Sequence, residues 1–581
     1  MSDNEKSLYP PNYKQKHNCL YVVRKGQHGE YAEKLCNFSP RIVAEVTVDD
    51  GATATKRLVL GGVHESGRIL NEVEITASDL ATFQWVIEHW GADCILGVSS
   101  KVKENLRFAI QHTAFFAERK TIYNVTGWKR IDGKWRFLLP GCTDVTVELP
   151  GKLKHYEGAH EYSAHDVVTA KAFLDLPLAP KEVIFPLLAF TFLSPLNEFL
   201  HRANCEPKFV LFLLGKTGTR KSTLAALFLS FFGRFTASEL PLSFRDTANS
   251  ILHHAFTLKD VLTCIDDFHP SRKQEEGKLV STAQAVMRSY GDRTGRGRLK
   301  ADATPMESRP PQGNAVVTAE FAPDIGESGT ARYFGLELKN GDVDLQTLSW
   351  FQNEAENGVF KRAMYAYIEM LTTLVNQDEA LFVKSLADAF KLYRQEFMDS
   401  GVRCHGRVPE IVAWLRIGMK LFLLFMQKHS MMTVEEAGVY ETDFADILFR
   451  LAQAQAENIE HDKPTHIFIR KLFSLIESGS VTVLSRNGEH ILTPPNVIGY
   501  EDEQYLYLNK TAAHCAVKKL CDQQGENFTI TERGLLKALA EEGLIETAEG
   551  QNTKSVRIGS VTKRVVCLNK AKAIAIAEDG S

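Results

Sequence analysis

Two stretches of this chain carry residue types that together could bind and split a phosphoanhydride. The first is Gly215-Lys216-Thr217-Gly218-Thr219-Arg220-Lys221-Ser222-Thr223. An apolar run, Phe209 to Leu214, precedes it, and an apolar-periodic segment, Leu224 to Phe232, follows. Strand, glycine-rich loop and helix in that order is the context of a phosphate-binding loop. The loop's backbone N–H groups and the helix N-terminus would face nucleotide phosphates. Lys221 would reach the β- and γ-phosphates of ATP, and the Ser222 hydroxyl would ligate Mg²⁺. The pattern departs at Arg220, which stands where a second glycine is usual. Glycine there leaves φ unrestricted and lets the main chain approach phosphate closely. Arg220 serves only if its backbone stays in a region open to a side chain.

The second stretch is Val261-Leu262-Thr263-Cys264-Ile265-Asp266-Asp267, an apolar strand ending in two carboxylates. It is expected to neighbour the loop strand. Asp266 would hold the Mg²⁺ shell through water, and Asp267 would polarise the attacking water as general base. Asp267 is one methylene shorter than the Glu often found there. A third strand, Ala315-Val316-Val317-Thr318, ends in a hydroxyl. Thr318 would hydrogen-bond the attacking water or the γ-phosphate, or is simply a strand-end threonine. Arg332 precedes a further strand, Tyr333 to Leu338. It would reach the γ-phosphate of its own or a neighbouring subunit, or form a surface ion pair.

Residues 288–309 hold six Lys/Arg against three Asp/Glu. Arg293, Arg296, Arg298 and Lys300 are interleaved with glycines and suit a loop that tracks a nucleic-acid backbone. The alternatives are a solvated loop, or arginines that serve ATP.

These groups need a scaffold. At 581 residues the chain exceeds one core, and 44% hydrophobic with 24% charged residues is ordinary for a globular protein. Net charge is −4, so contact with nucleic acid must be local. The polar start, Met1 to Glu5, does not read as a secretory signal. The longest apolar stretch, Val183 to Leu196, contains Pro186 and Pro195 and is too short to span a bilayer, so no membrane role is expected. Ten scattered cysteines without zinc-finger spacing suggest free thiols in a reducing cytoplasm.

The first 76 residues look β-rich. Ser78 would cap a helix through Trp85 to Trp90, a second helix would run from about 101 to 116, and β structure follows to Leu149. Trp85, Trp128 and Trp135 are expected in cores. Residues 165–350 carry the nucleotide motifs, and 351–462 keep a helical period suited to a lid. In 463–581, helices precede a hairpin from Ile545 to Leu568, as in a winged-helix module. The region 1–164 is the β-rich remainder.

Together the motifs resemble a family of ATPases of phages and integrated mobile elements, long known only as a domain of unknown function. Its members include the MCM-like self-loading helicases of cassette-chromosome elements. The resemblance runs from about Ile42 to the C-terminus. It rests on Thr126-Gly127-Trp128 through Trp135, the loop 215–222, Ile265-Asp266-Asp267-Phe268, Thr318-Ala319-Glu320, Thr330-Ala331-Arg332 and Arg407-Val408-Pro409-Glu410. It implies an α/β fold with an AAA+-like P-loop ATPase core and tolerance of a non-glycine residue at Arg220. It further implies a homohexameric ring that hydrolyses ATP to move on single-stranded or forked DNA, with a loader or replication partner. The rival readings are an ATPase that remodels protein or nucleoprotein without unwinding, and a nucleotide-binding scaffold without turnover.

Overall fold

A computed structural model of the chain describes residues 8–578 apart from 28, 270–272, 296–307, 323–328, 330, 403–405, 462, 488–495, 525, 527, 529, 548–550 and 560. Side chains at 273–276 and 458–461 are likewise not described.

The site is positioned by a five-stranded parallel sheet. Its spatial order is Leu242–Ser243, Leu262–Phe268, Asn314–Ala319, Val210–Leu214 and Tyr333–Glu337. The strands are continuous apolar runs because both faces are covered. Alternate residues serve opposite faces. Leu211, Leu213, Cys264, Val316, Phe334 and Leu336 join one core, while Val210, Phe212, Ile265, Val317 and Tyr333 join another. Helices Ala248–Thr257 and Lys273–Asp292 cover the second face.

The first face opens onto the largest core of the molecule. Helices Lys181–Leu193, Val359–Gln377 and Val408–Lys428 pack there with the loop helix Lys221–Leu229. A Cβ on Gly418 would lie 2.1 Å from the Ala189 carbonyl oxygen, so glycine lets two of these helices cross closely. Trp414 stacks on Phe209 at 5.7 Å and donates its indole N–H to the Cys205 carbonyl (2.8 Å). The helical block after the sheet therefore shares one continuous core with it. Continuous helical structure from Lys181 to Arg202 makes 22 residues, long and apolar enough to cross a membrane by length and composition, unlike the shorter run read from sequence. Its most apolar window is 94% buried inside the protein.

The antiparallel hairpin Gly127–Ile131 with Lys134–Leu138 packs into the same core through Trp128, Trp135 and Phe137. Ahead of it, residues 9–110 build a separate core. A three-stranded antiparallel sheet and most of a five-stranded mixed sheet flank helix Val102–His112. The helix expected from Ser78 to Trp90 is broken. It is one turn at Asp79–Thr82, then Phe83 at φ +59°, then a π-helical turn at Val86–Trp90. That break brings Trp85 into one aromatic core with Phe83 and Trp90, where a straight helix would point it to the opposite face.

The C-terminal part has its own core. Helices Pro464–Glu477, Lys510–Gln524 and Glu532–Glu541 meet a sheet that includes the hairpin Lys554–Ile558 with Val561–Asn569. Nine cysteines are described, all free and eight of them buried; Cys404 lies outside the described residues.

Candidate nucleotide site

The loop strand ends at Leu214. The Gly215 N–H donates to the Ala319 carbonyl (3.1 Å), and the chain turns through Gly218 at φ +91° into helix Lys221–Leu229. Arg220 immediately precedes the helix with φ +68° and ψ +22°. That is the left-handed region, open to a side chain but costly, by about 1–2 kcal/mol. The Thr219 side chain is buried and bonds back to the Lys216 carbonyl (2.9 Å), which closes the loop on itself. The Lys221 ammonium also folds back, onto the carbonyls of Gly215 (2.5 Å) and Lys216 (3.0 Å). Burial depresses its pKa, with Glu320, Asp266 and Asp267 opposing.

Thr217, Gly218, Arg220, Lys221, Ser222 and Thr223 line one side of a cleft of about 270 Å³. Asp266, Asp267, Phe268, His269, Thr318, Ala319 and Glu320 line the other. The cleft opens at the C-terminal ends of the parallel strands, where open α/β sheets bind ligands.

The acid strand is not a neighbour of the loop strand, contrary to expectation. Asn314–Ala319 lies between them. The register on that middle strand slips between Ile265 and Phe268, so Asp266 and Asp267 bulge out opposite Thr318. Asp267 takes φ +64° there. Bulges re-aim side chains in this way. The middle strand is needed because it supplies Thr318. The Thr318 hydroxyl donates to Asp266 Oδ1 (2.5 Å) and accepts from the Asp267 N–H (3.1 Å). Its single proton is committed, so Thr318 here acts as a strut for the acid pair and has none to donate to a γ-phosphate.

The Ser222 hydroxyl donates to Asp266 Oδ1 at 2.8 Å. Two hard oxygens side by side at a phosphate loop fit Mg²⁺, which takes one or two protein ligands and keeps its remaining sites for water and phosphate. The described residues hold no cluster of three or more His, Cys, Asp or Glu suited to a metal.

Three cleft contacts escaped the sequence reading. Arg245 grips Asp267 Oδ2 through Nε (3.1 Å) and Nη2 (2.8 Å). Thr217 donates its hydroxyl to Glu320 Oε1, and His269 Nδ1 lies 2.8 Å from Glu320 Oε2. The Thr217 bond, with smaller help from His269 and Lys221, holds the Glu320 carboxyl below its usual range.

Other expected site residues fall elsewhere. Tyr333 pairs with Val210 at the start of the loop strand, and Glu337 with Leu214 at its end. Arg332 therefore sits at the opposite end of the sheet, about 13 Å or more along the strand from the cleft, and does not line it. It is held by both carboxylate oxygens of Asp292, which Arg407 also bonds (3.0 Å). Burial pushes the Asp292 carboxyl up, but the two arginines outweigh it and hold it low.

Arg293, expected on nucleic acid, is half-buried and spends its guanidinium within the chain, donating to the carbonyls of Pro207, Pro311 and Gly313 and to Asn314 Oδ1. It ties together the segments that lead into strands Val210–Leu214 and Asn314–Ala319, a role that a count of charges cannot separate from phosphate binding. Arg296, Arg298 and Lys300 lie outside the described residues.

The motif Thr126-Gly127-Trp128 has a structural meaning. Gly127 stands at φ +86°, and a Cβ there would lie 2.5 Å from Asp260 Oδ2. The buried Asp260 accepts from the Trp128 N–H and the Glu198 N–H, both at 2.9 Å. Lys259 bonds Glu198 (2.8 Å) and the Trp128 carbonyl (2.6 Å). The hairpin is thus latched to the start of the acid strand.

Sheet and cleft define an α/β protein with a polar cleft at the C-terminal ends of its parallel strands. No known family's sequence profile matches the chain, and no curated protein matches it by sequence. Among solved structures it is similar to one described as "SCCmec type IV Cch - active helicase", with a TM-score of 0.60 and 12% identity. The match covers 98% of this chain and 99% of that one, so the two share a fold along their whole lengths and resemble each other as the motifs implied.

Proposed function

We propose that this chain is an AAA+-like P-loop ATPase that works as a DNA helicase or translocase of a phage or mobile genetic element, assembled as a homohexamer. The observation that carries the reading is the cleft itself. It brings Lys221, Ser222, Asp266 and Asp267 together at the mouth of a phosphate loop. The fold shared with a protein described as an active helicase supports it.

In this reading the loop's N–H groups and Lys221 bind the phosphates of ATP. Ser222 and Asp266 would hold Mg²⁺, which when bound would neutralise phosphate charge. Thr318 fixes the orientation of Asp266, and Asp267 takes the proton of the attacking water once Arg245 releases it. The N-terminal region forms a collar or DNA entry, and the C-terminal winged-helix-like part regulates or loads. Arg296, Arg298 and Lys300 track the DNA backbone, and Arg557, Lys563 and Arg564 of the exposed C-terminal hairpin add phosphate contacts. Strand separation tests this. With ATP and Mg²⁺ the protein should unwind a forked duplex, and Lys221→Ala should not. An intact fork under conditions where ATP is being hydrolysed would contradict the helicase reading.

One observation favours a second reading, a nucleotide-binding scaffold. The Arg245–Asp267 pair neutralises the only base proposed for hydrolysis. ATP binding without phosphate release, even with DNA present, would select it.

A further inference from the structure

The cleft holds a third carboxylate that the catalytic reading leaves unused. Glu320 follows directly on the strand that carries Thr318 and is one-quarter exposed. One of its oxygens accepts the hydroxyl of Thr217, in the middle of the phosphate loop. The other faces His269, two residues beyond the acid pair. Among the charges acting on Lys221, Glu320 ranks ahead of Asp266 and Asp267.

A carboxylate and a phosphate are both anionic and both accept hydrogen bonds. They compete for the same loop donors and repel each other at close range. With Thr217 committed to Glu320 and Lys221 folded onto its own loop carbonyls, both donors are already occupied. A bound polyphosphate needs them released.

We propose that Glu320 is a latch on the phosphate loop, which a nucleoside triphosphate must displace from Thr217 toward His269 before Lys221 can engage the terminal phosphate. The latch rests on the reading of the cleft as a nucleotide site. It makes Glu320 a specificity-determining residue that weighs against the terminal phosphate and hardly against a diphosphate. His269 is the alternative partner that lets the latch open.

Equilibrium binding of fluorescent ATP and ADP analogues to the full chain, without turnover, reads this out. Glu320→Gln should tighten ATP about tenfold and change ADP less than threefold. His269→Ala should weaken ATP several-fold, because Glu320 then has only Thr217. In the double variant the His269 effect should vanish, a non-additivity that a merely structural role does not produce. Thr217→Val should tighten ATP less than Glu320→Gln, since it removes the clasp but keeps the charge. Unchanged ATP affinity in Glu320→Gln, or equal shifts for ATP and ADP, overturns the latch while wild-type binding upholds the site. A wild-type protein that binds neither nucleotide overturns both.

Discussion

Arg220 holds a backbone conformation that glycine takes freely and a long side chain takes at a cost. Arg220→Gly should therefore raise stability by about 1 kcal/mol in urea unfolding, with nucleotide affinity kept. A loss of affinity would instead give the guanidinium a role on the phosphates. Asp267 is the second residue whose role can be separated from its neighbours. Asp267→Asn should retain ATP binding and lose turnover by about 10²-fold or more, the scale of general-base catalysis. Retained turnover removes Asp267 as the base. Arg245→Ala should raise basal hydrolysis, because it frees that carboxylate. The loop and the acid pair were legible because each is one contiguous run whose chemistry follows from residue order. Arg245, Glu320 and His269 were not, because their partners arrive through the fold. Arg245 is 22 residues from Asp267, and Thr217 is 103 from Glu320. Glu320 and His269, each the residue directly after a strand, lay where a search of strand ends would have found them.

At the scale of elements, the latch between hairpin and sheet is the most constrained joint. Gly127→Ala would add left-handed strain and a clash with Asp260, and should cost about 3 kcal/mol or more in urea unfolding. Asp260 also makes this joint sensitive to pH. Burial raises its pKa to about 7 against the opposing pull of Lys259, with Glu198 adding to the rise. Folded protein then keeps a proton that unfolded protein has released, from about pH 4 upward. Stability from this group should fall as pH rises from about 4 to about 7 and level off beyond. Asp260→Asn should flatten that slope in unfolding curves taken across the range, and an unaltered slope would place the titration elsewhere. The β character of the stretch up to Leu149, with the turn dipeptide Asp132-Gly133 inside it, made the hairpin visible in sequence. Its attachment to the sheet's core was not, because Trp128 and Asp260 meet across 132 residues. The broken segment after Ser78 was misread because its apolar spacing also fits a straight helix. Tertiary packing of Phe83, Trp85 and Trp90 decided otherwise.

On the scale of the whole molecule, the account requires subunits to cooperate and DNA to engage. Arg332 lies too far from its own cleft to serve it, so any catalytic role must be in a neighbour's. Arg332→Ala should then reduce hydrolysis only at concentrations where the protein assembles; an equal loss in dilute monomer counts against a finger delivered in trans. Replacing Arg296 and Arg298 together with Ala should weaken DNA binding and reduce its salt slope by about 2. Unchanged binding would end the role assigned to that stretch. The most direct measurement is ATP hydrolysis with and without single-stranded DNA, with Lys221→Ala as the control. The account predicts Mg²⁺-dependent hydrolysis that DNA stimulates strongly and that Lys221→Ala abolishes. Hydrolysis indifferent to DNA, or none at all, would contradict it.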